Sequence, residues 1–474
     1  MKTFSKHILA LSLATMACNA MAQGLSSAYF IDDYKFRHTM NPAYDNEQNY
    51  VSVPALGNFN MSMQGNFGLG DVLVDNPRYG IDSNKKKTTF MNPYVSTADA
   101  LSGFNTTMNK ITADVDLTLL SAGFRAFGGY NTISLDSRTD VALGLPYSLL
   151  EFAKNTGNKS YVMDDINAQA QSYVQLAFGH SRQLGKHWRV GAKVKFLFGV
   201  ARADVQFTDL RADLSADDKW IMSGKAIANV SMKGFRYLTT HKEYNDASKG
   251  TYDRVDDIDV DGVGVGGFGL AVDLGATYKP NKDWTISVAV TDLGYISWTS
   301  TMTASNKQSE FVFNGFHDIT ADDYDANGNR KDNSFEAQTD KYGDQLADFA
   351  NLSNDGDTGG RSTLLAATVN VGCEYTLPVY RGLKFGLLST TRLHGKYTWT
   401  EGRLSANIAP LKWLNGGVNF AMNNYTTSIG WVLNIHPRAF NVFVGMDHLL
   451  GKTSKEYIPL DSNASFNVGF NVTF

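Results

Sequence analysis

The chain of 474 residues has little cysteine, little charge and no long hydrophobic run beyond its first twenty or so positions. Its only cysteines are Cys18 and Cys373, so a mature chain that has lost an N-terminal leader cannot form an intrachain disulfide. A membrane-crossing helix needs about 18 or more apolar residues in a row, and none follows the leader. Charged residues make up 19% and the net charge is -4, with lysines and arginines dispersed. That leaves no basic footprint for nucleic acid. There is no Gly-x-Ser-x-Gly elbow and no His-Glu-x-x-His, and the nine histidines show no ligand pairing, so no local motif speaks for catalysis.

What is abundant is glycine (43 residues), aromatic side chains (12%) and strict alternation. The last eleven residues, Ala464 to Phe474, put Phe466, Val468, Phe470, Val472 and Phe474 on one parity, and Asn467, Gly469, Asn471 and Thr473 on the other. A strand turns such parity into one apolar and one polar face. Segments near 10 residues with this pattern are what a tilted transmembrane strand needs, and they predict an all-β antiparallel outer-membrane barrel of about fourteen strands. The expected partner is outer-membrane lipid; a terminal strand ending in Phe474 also resembles the signal read by the bacterial barrel-assembly machinery, and that resemblance implies a second partner.

The same pattern recurs along the chain. Trp188, Val190, Ala192, Val194, Phe196 and Phe198 share an apolar parity, as do Phe268, Leu270, Val272 and Leu274. Trp284, Ile286, Val288 and Val290 follow Pro280-Asn-Lys-Asp283, and Leu365 to Leu377, then Leu383, Phe385, Leu387, Leu393, Tyr397 and Trp399, continue it. The opposite parity is wet: Arg189, Lys193, Lys195, Asp273, Arg392, His394 and Lys396 are the candidate lumen-lining residues. Short connections at Gly185-Lys-His187, Pro280 to Asp283, Arg381-Gly382 and Pro437-Arg438 suit the periplasmic rim. Trp188 and Trp284 directly after such turns fit an interfacial girdle.

Lys2 and Lys6 precede the apolar stretch Ile8 to Ala17, and Ala20-Met-Ala22 is a small-x-small cleavage site, so residues 1–22 read as a secretory signal peptide. Cys18 invites a lipoprotein reading, but Thr15-Met-Ala-Cys18 lacks the expected Leu upstream. Residues 23–57 are expected to form a plug or hatch and 58–474 the barrel, with long polar loops at about 71–110, 208–260 and 301–360. Short helices are expected near Thr97 to Asn109, Pro146 to Asn155 and Lys341 to Leu352. Gly262-Val-Gly264-Val-Gly-Gly267 has dinucleotide-binding spacing but leads into a strand, so its glycines serve packing or a bend. Asp323, Asp325 and Asn327, with Gly328, match the start of a calcium loop, while position twelve is Ser334 instead of Glu. The loop reads either as a calcium site or as a plain acidic surface loop, and no other cofactor is expected.

Arg37-His-Thr-Met-Asn41-Pro42-Ala43, then Val51-Ser-Val-Pro54-Ala-Leu-Gly57 and Asn58 to Met63, resemble the opening of FadL-type barrels and their Bacteroidota relatives. Gly266 to Gly275 and Trp284 to Gly294 resemble the PorV and PorQ branch of that superfamily. The resemblance implies about fourteen strands, an internal plug whose turn is Asn41-Pro42-Ala43, and, in some members, passage of hydrophobic molecules. A channel for a small hydrophobic molecule is thus the first functional expectation. A PorV-like scaffold for a secretion or cell-surface partner is the alternative, and a barrel enzyme a distant third.

Overall fold

The computed structural model describes residues 24–157, 159–216, 219–244, 250–307, 309–315, 331, 334–449 and 463–474. The signal peptide and the candidate calcium residues Asp323, Asp325 and Asn327 lie outside the described residues.

Fourteen antiparallel strands close on themselves. They are β1 (Phe59–Gly65), β2 (Met108–Ala126), β3 (Gly129–Pro146), β4 (Ile166–Leu184) and β5 (Trp188–Asp213). Then come β6 (Gly267–Tyr278), β7 (Trp284–Trp298), β8 (Ala367–Thr376), β9 (Leu383–Leu393) and β10 (Trp399–Leu411). The ring ends with β11 (Leu414–Asn423), β12 (Thr427–Ile435), β13 (Phe440–Met446) and β14 (Ala464–Thr473). Each strand pairs with its sequence neighbour, and β14 closes on β1 in the register Phe59↔Val468 to Met63↔Ala464. Closure leaves no free edge in the wall.

The faces are inverted relative to a water-soluble core. On β6, Phe268, Leu270 and Leu274 are 58%, 48% and 55% exposed, whereas Asp273 between them is fully buried. On β14, Phe470, Val472 and Phe474 face out, while Asn467 and Asn471 are buried. An outward apolar band this wide around a polar interior is stable only against hydrocarbon, so the molecule is a bacterial outer-membrane barrel. Among the described residues no helix is long and apolar enough to cross a membrane.

The wall is uneven in height. Strands β2 to β5 run 19, 18, 19 and 26 residues, and β11 to β14 only 10, 9, 7 and 10. About ten residues suffice to cross, so β2 to β5 stand well above the bilayer. The upper part of β5 continues outside it, pairing with Trp220–Met232, which pairs with Met302–Ser305 and Glu310–Phe313. Ser353–Asp357 then links to Thr251–Val260, which pairs with Phe235–Glu243.

Among the described residues, the long polar loops expected at 208–260 and 301–360 thus hold strands of their own. Phe235–Glu243 is exposed along nearly its whole length. A strand wetted on both faces needs no apolar parity, which is why its sequence reads as loop. Helices occupy Thr97–Leu101, Tyr147–Lys154 and Phe335–Ala350. The first stops short of Asn109 because β2 begins at Met108.

Two strand readings need correction too. Leu365 does not face lipid; it packs with Tyr173, Leu197 and Trp298. Tyr397 and Trp399 are 4% and 5% exposed and turn inward, because the turn after β9 resets the parity and Trp399 shares the face of Glu401 and Arg403.

Candidate functional site

Residues 24–49 enter the lumen without forming a strand, making only two short helical turns at Ser26–Ala28 and Arg37–Thr39. Their apolar side chains supply most of a buried cluster: Leu25, Tyr29, Phe30, Ile31, Tyr34 and Phe36 pack with Leu388, Val432 and Phe443 of the wall. Arg37 lies over the Tyr44 ring at 3.9 Å and donates to the Tyr29 carbonyl at 3.1 Å.

Polar contacts bind this segment to many strands. The Ser27 amide and hydroxyl donate to Asp447 at 2.5 and 2.6 Å, and Asn370 Nδ2 donates to the Met40 carbonyl at 3.0 Å. Lys384 pairs with Asp32 at 2.7 Å, and Arg189 pairs with Asp45 at 3.2 Å. Lys193 Nζ lies 3.1 Å from His38 Nδ1; His38 Nε2 lies 2.9 Å from the Tyr50 hydroxyl, itself 2.9 Å from Ser121. An ammonium can only donate, so His38 accepts at Nδ1 and, as neutral imidazole, donates from Nε2.

The turn Asn41-Pro42-Ala43 has a seat of its own. Gly191 of β5 and Gly275 of β6 are direct register partners. A Cβ on Gly191 would meet the Pro42 carbonyl oxygen at 2.1 Å, and one on Gly275 would meet Asn41 Oδ1 at 2.1 Å. The two glycines thus form a notch into which the turn fits. Asn41 Oδ1 accepts from the Ala43 amide at 2.9 Å, holding the turn's shape.

Above this segment lies an ionic layer. Lys195 pairs with Asp273 at 2.7 Å and Asp292 at 2.6 Å; Arg138 pairs with Asp292 at 2.9 Å and Asp116 at 3.2 Å; Arg392 reaches Asp114 at 2.6 Å. Asp114, Asp116, Arg138, Asp292 and Arg392 of this layer, with Asp140, Tyr173 and the segment's Thr39 and Met40, line a cavity of about 40 Å³. That holds a few waters at most. A channel for a small hydrophobic molecule would call for an apolar pocket inside the barrel, and this cavity is polar. The apolar hollow, bordered by Trp284, Tyr375, Phe385, Leu404 and Phe420, lies on the outer face of the wall instead.

Of the residues singled out in the sequence, Lys193, Lys195 and Asp273 are buried on the inner face, and Arg189, Arg392 and His394 have side chains 15%, 11% and 14% exposed. Lys396 sits on the connection after β9, half exposed. Asp114, Asp116, Arg138, Asp140 and Asp292 were missed. The first four had a signal, a period-two run of charge on β2 and β3, and Asp292 is brought inward by a bulge: Val272 pairs with Leu293 and Leu274 with Val290, leaving Thr291 and Asp292 opposite Asp273.

A second polar cluster joins Ser428 to His448 Nδ1 (2.6 Å) and His448 Nε2 to Glu401 (3.4 Å) and Gln64 (3.3 Å). Its makeup suggests a charge relay, but Glu401 is taken by Arg403 at 2.6 Å and Gln64 competes for Nε2. The cluster ties β1, β10 and β12 together at the low rim.

The sequence pattern of DUF5723, described as a family of unknown function, matches residues 42–447. The chain belongs to DUF5723. No curated protein matches the sequence. Among solved structures, the DUF5723 chain is similar to the toluene transporter TbuX of Ralstonia pickettii at 9% identity, covering 96% of this chain and 94% of that one, with a TM-score of 0.44. It is also similar to the toluene transporter TodX of P. putida at 8% identity, covering 94% and 93%, with a TM-score of 0.41. The translocator domain of the autotransporter NalP from Neisseria meningitidis follows at 8%, covering 91% and 90%, with a TM-score of 0.29. What those proteins carry is a property of those proteins.

Proposed function

We propose that this DUF5723 barrel is an outer-membrane channel for a small hydrophobic molecule, shut in the present state by the segment inside its lumen. The observation that carries the gating is the segment itself: residues 24–49 have no strand pairing, yet they fill the lumen and are seated in the Gly191–Gly275 notch. The hydrophobic class rests on the resemblance of the Arg37 to Ala43 opening to FadL-type barrels. A polar passenger is the second reading, favoured by the carboxylates and guanidinium groups around the cavity. In either reading the barrel performs no chemistry. The comparisons lend nothing to a scaffold role.

The test is uptake into liposomes carrying the full chain or a variant lacking residues 24–46. The variant is expected to admit solute well above empty liposomes, and the full chain much less. Parallel assays with a hydrophobic and a small polar solute decide between the passengers. If the shortened barrel folds and admits neither, the channel reading fails.

A further inference from the structure

Resting on the reading of the lumen as a passage, we propose that the connection from His394 to Thr398 is a second, outer lid, so that the ionic cavity is enclosed from both sides. In a ring of fourteen strands, β9 stands directly opposite β2, and β10 opposite β3. The connection between β9 and β10 nevertheless bonds to β2 and β4 and brings His394 within 3.8 Å of Asp140 on β3. It must therefore cross the mouth of the barrel.

The crossing climbs in register. Asp114 of β2 and Asp140 of β3 are paired, and Arg392 at the top of β9 reaches Asp114 at 2.6 Å. One step further, His394 Nε2 lies 2.7 Å from Gln169 of β4 and 3.8 Å from Asp140. Higher still, Lys110, Gly144 and Asn167 form one level across β2, β3 and β4. There the Tyr397 hydroxyl donates to Asn167, and Lys110 Nζ donates to the Lys396 carbonyl. Lys396 Nζ pairs with Asp165, just before β4, at 2.6 Å.

The chemistry of these contacts suits something that opens. No strand pairing holds the crossing, only a short helical turn at Gly395–Tyr397. Gly395 has φ +53, a conformation that glycine takes without strain and that lets the chain swing inward directly after β9. Lys396 and Asp165 are 47% and 52% exposed, and an exposed pair contributes little. Tyr397 is the one buried anchor.

Thiol access measures the lid without requiring any solute to cross. Thr390, 2% exposed and lining the cavity under the crossing, is replaced by cysteine in a Cys373→Ser background. A charged, membrane-impermeant methanethiosulfonate is applied to the outer face of intact cells. With the lid intact, labelling of the cysteine at 390 is expected to be slow. Tyr397→Phe should raise the rate several-fold, and Lys396→Ala with Tyr397→Ala at least tenfold. An Asp82→Cys control on an exposed turn should label equally fast in every background, and heat-modifiable migration on gels reports that each barrel is folded. Equal rates at 390 in folded intact and loosened variants would overturn the lid. Failure of the liposome assay would instead remove the channel reading and leave the labelling result standing.

Discussion

Lys195→Met is expected to destabilise the barrel by roughly 3–5 kcal/mol, the usual cost of leaving a buried charge without its partner. Lys195 is 2% exposed and lies between Asp273, fully buried, and Asp292. Methionine fills nearly the same volume, so the loss is electrostatic and not a cavity. Asp292 keeps Arg138 at 2.9 Å, but the hydrogen bond left to Asp273 is from the amide of Asp292, at 2.8 Å, and no cation among the described residues pairs with it directly. Adding Asp273→Asn should therefore recover a substantial part of the loss, since a neutral amide in that position leaves no uncompensated charge. Lys193→Met should cost less, because its ammonium contacts the His38 imidazole and carbonyl and no carboxylate. Urea unfolding in detergent, followed by tryptophan fluorescence, checks the order. A Lys195→Met midpoint within error of the unaltered protein would show that water in the lumen screens the pair.

How much of this could be read beforehand depends on how local the cause is. The barrel wall was legible because its cause is a two-residue period, and Trp188 to Phe198 or Phe268 to Leu274 carry that period without interruption. The period fails where the backbone departs from it. At Asp292 one extra residue reverses the faces, so Val290 and Leu293 both point outward although their spacing is odd. Asp292 has φ +60, which Asp tolerates better than most residues, and its amide is held by Asp273 across the pair. The signal was in the sequence as a broken alternation from Val290 to Tyr295. Trp399 illustrates the opposite case: its parity continued correctly from Leu393 on paper, but a helical turn at Gly395–Tyr397 resets the face, and nothing within the strand announces it. The sheet outside the membrane was illegible for a third reason: Phe235–Glu243 is exposed along nearly its whole length, and the residues its neighbours bury, Ala228, Val255, Ala304 and Leu352, come from separate segments that share no period. The ionic layer was half legible. Lys195 and Asp273 fall on a lumen parity, whereas the pairing of Arg392 with Asp114 depends on ring closure, which joins residues no local pattern relates.

Gly191→Leu is expected to expel the Asn41-Pro42-Ala43 turn from its seat and raise solute flux toward that of the variant lacking residues 24–46. The first carbon of any side chain there would lie 2.1 Å from the Pro42 oxygen, 2.3 Å from its carbonyl carbon and 2.6 Å from the Ala43 nitrogen. All three are backbone atoms, so no rotamer change relieves the collision, and either the wall or the turn must move. The wall is the stiffer of the two. Gly191 is paired on one side with Ser181 of β4 and on the other with Gly275 of β6, within ladders that run the length of β5. The turn has no strand partner and is anchored by isolated hydrogen bonds and by the apolar cluster around Tyr29 and Phe36. Yielding of the turn should cost the whole protein only about 1–3 kcal/mol, the usual range for overpacking, and leave a folded barrel. Liposome uptake reads the flux, and faster proteolysis of the N-terminal segment reads its displacement. Ala192→Leu provides the control, since Ala192 is exposed on the outer face of the same strand and should leave both readings unchanged. Should Gly191→Leu give the flux and cleavage rate of the unaltered protein, the notch does not hold the segment, and gating must reside in the contacts to Asp447, Asn370 and Lys384 instead.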